Sequence, residues 1–231
     1  SIIQPLFFPW AGYFHLISRS DIFIFLDDAQ FKKTWCSRNK ILLDGNEHLI
    51  NMALTKQPQK NNINQRKFYN FSENFQILKN KIYNSYKKNK FFSNIDEIFF
   101  NIDENLIFNN LSEFNIYFIK KISQLMNIKT TFYKSSTLKL NKKRSEKLIE
   151  ICKLFQIDEY LSPQGSKEYM KEDSFEEIFN GKVRYNNFIH RNYSQNSKNK
   201  FISHLSILDL ISNMSWKESF DYIYCKEVNY L

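Results

Sequence analysis

At 231 residues the chain can hold one large domain or two small ones, and it can bury a full core. Hydrophobic residues at 42% and aromatics at 17% exclude a disordered chain, and 4 Gly with 4 Pro leave little room for flexible linkers. The net charge of +9 comes from Lys far more than Arg in a chain also rich in Asn, Ile, Phe and Tyr, as an AT-rich coding sequence produces; nucleic acid is not an expected partner beyond nonspecific attraction.

The first elements read as a compact unit. "SIIQP" is a short apolar run halted by Pro5, and "DIFIFLDD" is a second; apolar interiors suit strands covered on both faces. Between them "WAGYFHLISRS" places Tyr13, Phe14, Leu16 and Ile17 at helical spacing. Strand, helix, strand over so short a stretch implies parallel pairing with a right-handed crossover. "RNKILLDGNEHLINMALTK" then sets an Asp44-Gly45 turn between two β-prone runs, a hairpin signal. Residues 57–67 read as a polar, mobile loop, and 72–90 and 104–127 as amphipathic helices whose aromatic stripes face the core. The α/β rhythm returns with "KTTFYKS", "DEYLS" and "KVRYNNF" as strands and "RSEKLIEICKLFQ", "SKEYMKEDSFEEIFN" and "HLSILDLISNM" as helices. No internal repeat is present. The expected fold is α/β: a Rossmann-like, mostly parallel sheet with flanking helices, an inserted β-hairpin and a helical segment. The late units extend the sheet, making residues 1–231 a single domain with a helical insertion at about 70–128.

No apolar run reaches the roughly 18–20 residues that span a bilayer, and no signal peptide is evident, so a cytoplasmic protein without membrane insertion is expected. Cys36, Cys152 and Cys225 form no CxxC pair and read as reduced thiols, without a structural zinc. Only Cys36 lies within a polar cluster, and no base accompanies it in sequence.

Ligands of parallel α/β sheets bind beyond the carboxyl ends of the strands. Three separated loops reach that edge. One carries Gln4, Trp10 and Tyr13; a second carries Asp27, Asp28, Gln30, Trp35, Arg38 and Asn39; a third carries Ser162, Gly165 and, on its helix, Tyr169. Each residue also has a structural reading. Gln4 and Asp28 can satisfy loop backbone groups, and Ser162 or Ser166 can cap the following helix. "SPQGS" lacks the glycine spacing of a phosphate loop. Arg38 beside Asn39 suits bidentate recognition of phosphate or carboxylate. Adjacent strand residues point to opposite faces, so only one of Asp27 and Asp28 is expected to be catalytic. Among the histidines, His15 lies in a helix, His48 on the hairpin, and His204 begins a helix. His190 follows a strand with Tyr193 and Gln195 close behind and is the candidate base. No HExxH or similar spacing points to a metal.

Together "QPLFFPWAGYFHLI", "DIFIFLDDAQFKKTWCSRNKI", "EYLSPQGSKEY", "HRNYSQ" and "FISHLSILDLI" resemble the WbqC-like protein family of bacterial polysaccharide gene clusters, over nearly the whole chain. The resemblance implies a role in O-antigen, lipopolysaccharide or related surface-glycan synthesis, with glycine or another aminoacyl group transferred to an amino sugar. It carries no agreed catalytic residues. "PWAGYF" is also faintly similar to the HxGH turn of nucleotidyltransferases, with Trp10 and Tyr13 standing where that turn has histidines.

Three functions are weighed. The first is a transferase acylating or aminoacylating a nucleotide-linked amino sugar. Asp27, Asp28 or His190 is its base; Arg38, Asn39 and amides near Gly165 hold phosphate or oxyanion; Trp10, Tyr13 and Trp35 stack on a ring; and the remaining named residues line the pocket. Its partners are the nucleotide-linked amino sugar and an activated acyl or aminoacyl donor, or ATP, with no metal. The second is a nucleotidyltransferase or ATP-dependent ligase, which would depend on magnesium. The third is a noncatalytic module binding a glycan enzyme or nucleic acid, the latter marked by steep salt dependence.

Overall fold

The computed structural model describes residues 1–99, 102, 108–198 and 200–224. Strand β1 (Ile2–Ile3), helix α1 (Ala11–Ser18) and strand β2 (Ile22–Phe25) form the expected parallel unit, with Ile2 opposite Ile24 and Ile3 opposite Phe25. Every residue of α1 from Ala11 to Ile17 is buried. Strands β3 (Arg38–Leu43) and β4 (Asn46–Asn51) make the antiparallel hairpin. Its tip holds Asp44 at φ 50° and Gly45 at φ 75°, the paired left-handed conformations that a tight two-residue turn demands.

Residues 57–67 are pinned rather than loose. Arg66 is buried, donates to the carbonyls of Gln57, Pro58 and Gln59, and lies 4.3 Å from the Phe31 ring centroid. One guanidinium thus satisfies three carbonyls that the loop cannot pair itself. The helix expected over 72–90 is α2 (Phe71–Tyr86), and α3 (Phe92–Phe99) follows it as a helix that the sequence pattern did not mark. Helix α4 (Leu111–Leu125) starts where the Asn110 side chain accepts from the Glu113 amide, a capping interaction; residues 104–107 of the expected helix lie outside the described residues.

Strand β5 (Thr131–Lys134) pairs in parallel with β2, giving the order β1-β2-β5. Helix α5 (Arg144–Leu154) leads to β6 (Glu159–Ser162), α6 (Lys167–Glu172), α7 (Phe175–Ile178) and β7 (Lys182–Tyr185). The helix expected over 166–180 is broken because Ser174 takes φ 50°, a left-handed geometry that ends α6. Nor do all the late units extend the sheet: β6 and β7 pair in parallel with each other as a separate ladder. Helices α8 (Ile207–Asn213) and α9 (Trp216–Tyr224) close the described chain. Among the described residues no helix is long and apolar enough to cross a membrane.

The sheet is a wall between two cores, and the pleat decides which residue serves which. Ile3, Phe23, Phe25 and Phe132 pack into a large aromatic core with α1 to α4, α8 and α9. Ile2, Ile22, Ile24 and Leu26 pack into a smaller core with α5 to α7. Tyr160 and Leu161 repeat that division on β6, so β6 continues the wall by side-chain packing.

Candidate functional site

The carboxylates at the end of β2 are taken up inside the protein. Asp27 and Asp28 lie in the turn after the strand, so strand alternation does not separate them. Both reach the turn that follows β5. Asp27 Oδ1 accepts from the Ser136 amide at 2.9 Å, while Oδ2 accepts from Ser136 Oγ at 2.6 Å. Asp28 Oδ1 accepts from Ser135 Oγ at 2.5 Å, and Oδ2 pairs with Lys147 Nζ of α5 at 2.6 Å. All four oxygens are engaged, and the Asp28–Lys147 side chains are only 20% and 11% exposed. The network joins β2, β5 and α5 where the sheet ends.

The loop after β1 is similarly occupied. Tyr13 is buried and donates to the Gln4 carbonyl at 3.0 Å; Cys36 Sγ donates to Gln4 Oε1 at 3.4 Å. Asn39 Nδ2 donates to the carbonyls of Phe7 and Phe8, and Asn115 donates to those of Pro5 and Cys36. These bonds hold a loop in which Phe8 sits at φ 40°. Burial pushes the Cys36 thiol up to about 12 and the Cys152 thiol up to about 11, so neither is a thiolate nucleophile at neutral pH; Cys225 lies outside the described residues.

Other candidates named from the sequence lie further apart. Gln30 is exposed and bridges Asn62, and Trp35 is 48% exposed. The side chain of Arg38, half-buried on β3, has no hydrogen bond or ion pair among the described residues. Ser162 donates to the Pro163 carbonyl and Met170 Sδ and caps no helix. Gly165 faces open space, and Tyr169 packs against the smaller core.

The most open chemistry gathers over the start of α1. Trp10 precedes the helix and folds back over Gly12, where an added Cβ would collide with the indole ring. Only glycine admits that approach. The indole centroid lies 4.6 Å from the His204 ring and 5.0 Å from the His190 ring, and the two imidazoles are 4.4 Å apart. The segment between β7 and α8 brings both histidines there, tied down by Asn186 Nδ2 on the Gly12 carbonyl and by the Ile207 amide on the Pro9 carbonyl.

The contacts of His190 define its tautomer. The His204 amide donates to Nε2 at 3.3 Å, and Nδ1 lies 3.4 Å from the Tyr222 hydroxyl, whose proton goes to the Arg191 carbonyl at 2.7 Å. Nδ1 therefore carries the hydrogen. Burial, and then His204 beside it, push the His190 imidazole down to about 4, so it stays neutral at physiological pH. His204 is exposed, and its Nδ1 lies 2.8 Å from Ser203 Oγ.

Tyr193 and Gln195 lead from this stack to Asp209 in the first turn of α8. Both donate to Asp209 Oδ2, at 2.7 and 2.9 Å. Burial pushes the Asp209 carboxyl up to about 6 against those two bonds. Sequence reasoning missed Asp209, and it placed His204 only at a helix start. The "HLSILDL" stretch carries both, but its helical pattern reads as core.

Among the described residues no three His, Cys, Asp or Glu side chains gather as a metal site. The fold is that of an α/β protein, and an indole and two imidazoles above a helix start, beyond the carboxyl end of β1, mark a candidate site at its first strand-to-helix junction. The chain belongs to the WbqC-like protein family, which it matches over residues 4–220. It is similar to an uncharacterized protein of Mycobacterium tuberculosis, 26% identical over 229 residues and covering 98% of each chain. No solved structure matches it.

Proposed function

We propose that the protein is a cytoplasmic transferase of bacterial surface-polysaccharide biosynthesis, moving an acyl or aminoacyl group from an activated donor to the amine of a nucleotide-linked amino sugar. The Trp10–His190–His204 stack carries this reading. Acyl transfer to an amine needs a group to take the amine's proton and donors for the oxyanion. Two imidazoles this close do not both hold a proton cheaply. With His190 held neutral by burial, exposed His204 is the one to receive the amine's proton. The Ala11 and Gly12 amides in the first turn of α1 lack helical acceptors and can face the oxyanion, the Tyr13 amide being used by the Trp10 carbonyl, and Trp10 gives the sugar a flat apolar face. Asp27 and Asp28 serve as the frame rather than the base.

The test is turnover of donors and amino sugars followed by mass spectrometry. His204→Asn should lower kcat about 100-fold, the low end for loss of a general base, at unchanged thermal stability. Full activity in both His204→Asn and His190→Gln would remove the imidazoles from the mechanism. One observation favours a second reading, nucleotidyl or ligase chemistry: distant residues supply two imidazoles at the junction where a nucleotidyltransferase carries its own. Magnesium-dependent release of pyrophosphate from ATP or CTP would select it.

A further inference from the structure

A concavity that none of Trp10, His190 and His204 lines lies elsewhere in the described structure. It measures about 1020 Å³ and lies between the β3–β4 turn, the end of α2 and the segment around Asn196. Its walls are held. Asn89 donates to Ser212 Oγ at 2.9 Å and to Asn213 Oδ1 at 3.1 Å, and accepts from Asn196 Nδ2 at 2.5 Å. The Lys198 amide donates to the Gly45 carbonyl at 3.3 Å.

Two features point to what would fill it. Lys87, Lys88 and Lys198 stand exposed around it, and none of them makes an ion pair among the described residues. Asp209 lines the same cavity and is 1% exposed. Its Oδ2 is used by Tyr193 and Gln195, while Oδ1 is buried without a partner among the described residues. A buried carboxylate oxygen left unpaired is costly, and such exceptions in native structures call for an explanation. A ligand that places a hydroxyl or ammonium donor on Oδ1 and a phosphate among the lysines satisfies both features at once. The volume slightly exceeds the upper end of common small-molecule sites, roughly 300–1000 Å³, and the walls offer amides and lysines rather than exposed aromatic faces for a base.

We infer that this cavity is a binding site for a phosphorylated sugar, with the phosphate held by Lys88 and Lys198 and a sugar donor group held by Asp209. Naming the sugar as an amino sugar rests on the transferase reading; the phosphosugar class rests on the cavity alone. The site then holds the phosphate-bearing part of the acceptor, or a free sugar phosphate acting elsewhere in the same chemistry.

Calorimetric titration of the full chain separates these outcomes. Glucosamine 1-phosphate should bind at least tenfold more tightly than inorganic phosphate or glucosamine. The exposed pair Lys88→Ala and Lys198→Ala should weaken it at least tenfold at unchanged thermal stability. Asp209→Asn should weaken it further, because a sugar hydroxyl loses its acceptor while the amine stays free for the imidazoles. Tighter binding of the uridine diphosphate-linked amino sugar would mark a nucleotide-linked acceptor, and equal or weaker binding a free sugar phosphate; both support the site. Binding unchanged in the lysine pair, or inorganic phosphate binding as tightly as the phosphosugar, would overturn it. Those results would leave the imidazole mechanism standing. Intact phosphosugar binding in an otherwise active enzyme that is indifferent to His190 and His204 would do the reverse.

Discussion

Two regions of this molecule are rich in ionisable side chains, and they treat them differently. At the end of β2, Asp27 and Asp28 lie in a network where every carboxylate oxygen already accepts a hydrogen bond. Over α1 and along α8, the His190 lone pair is held by one long contact, His204 is exposed, and an Asp209 oxygen accepts nothing among the described residues. The first arrangement is closed and the second is open. A carboxylate pair at a strand end looks like chemistry in sequence, and here each of its oxygens accepts a hydrogen bond that ties β2 to β5 or α5. Unfilled valence is the better guide to where a ligand goes.

Breaking the closed region should have the largest effect. Asp28→Ala leaves Lys147 charged, largely buried and alone, and should cost about 3 kcal/mol, read as a lower midpoint in urea unfolding. Asp27→Ala strands the Ser136 amide and should cost about 2 kcal/mol. If Asp27→Asn kept full stability and lost turnover, the contrast between brace and site would collapse.

A pH series sharpens the contrast within the open region, where two shifts oppose each other. Asp209 is raised from 3.8 to about 6, so its contribution to stability is present at low pH and lost as pH rises through 6. His190 is lowered from 6.5 to about 4, so its contribution is present above 6.5 and lost as pH falls through 4. Between those limits the two offset one another. Relative to the wild type, Asp209→Asn should therefore gain Tm with rising pH across that window, and His190→Gln should lose it. Parallel profiles for all three proteins would mean that neither group titrates as its surroundings dictate.

The smallest effect belongs to the hairpin edge. Arg38→Ala and Trp35→Ala should each shift stability by no more than about 0.5 kcal/mol. A large loss of turnover in Arg38→Ala at unchanged Tm would extend the open region on to β3.

The fold was legible where local signals are strong. Apolar strands bounded by Pro5 and Asp27 marked the first βαβ unit, and Asp44-Gly45 marked the hairpin. Helix α9 was missed although its start is written in "SWKE": Ser215 Oγ accepts from the Glu218 amide while Glu218 Oε2 accepts from the Ser215 amide, a capping box. The break at Ser174 has no comparable mark, because serine seldom takes a left-handed conformation. The site was half legible. Trp10, His190, Tyr193 and Gln195 were named from sequence, and the structure places Trp10 and His190 together, with Tyr193 and Gln195 leading on to Asp209. His204 meets Trp10 across nearly the full chain, and such a contact depends on how β7 leaves the sheet rather than on any local spacing.

That β6 and β7 form their own ladder has a kinetic consequence. Their attachment to β1 rests on packing around Tyr160, whose hydroxyl reaches the Ile2 carbonyl at 3.4 Å, and not on shared strand amides. The stretch from β6 to β7 can therefore loosen as a unit while β1, β2 and β5 stay paired and the Asp28–Lys147 pair holds α5 to β2. In native-state hydrogen exchange the amides of β6 and β7 should open at a lower free energy than those of β2. The segment bearing His190 starts at the end of β7, so this loosening would also set how long the imidazoles remain over Trp10.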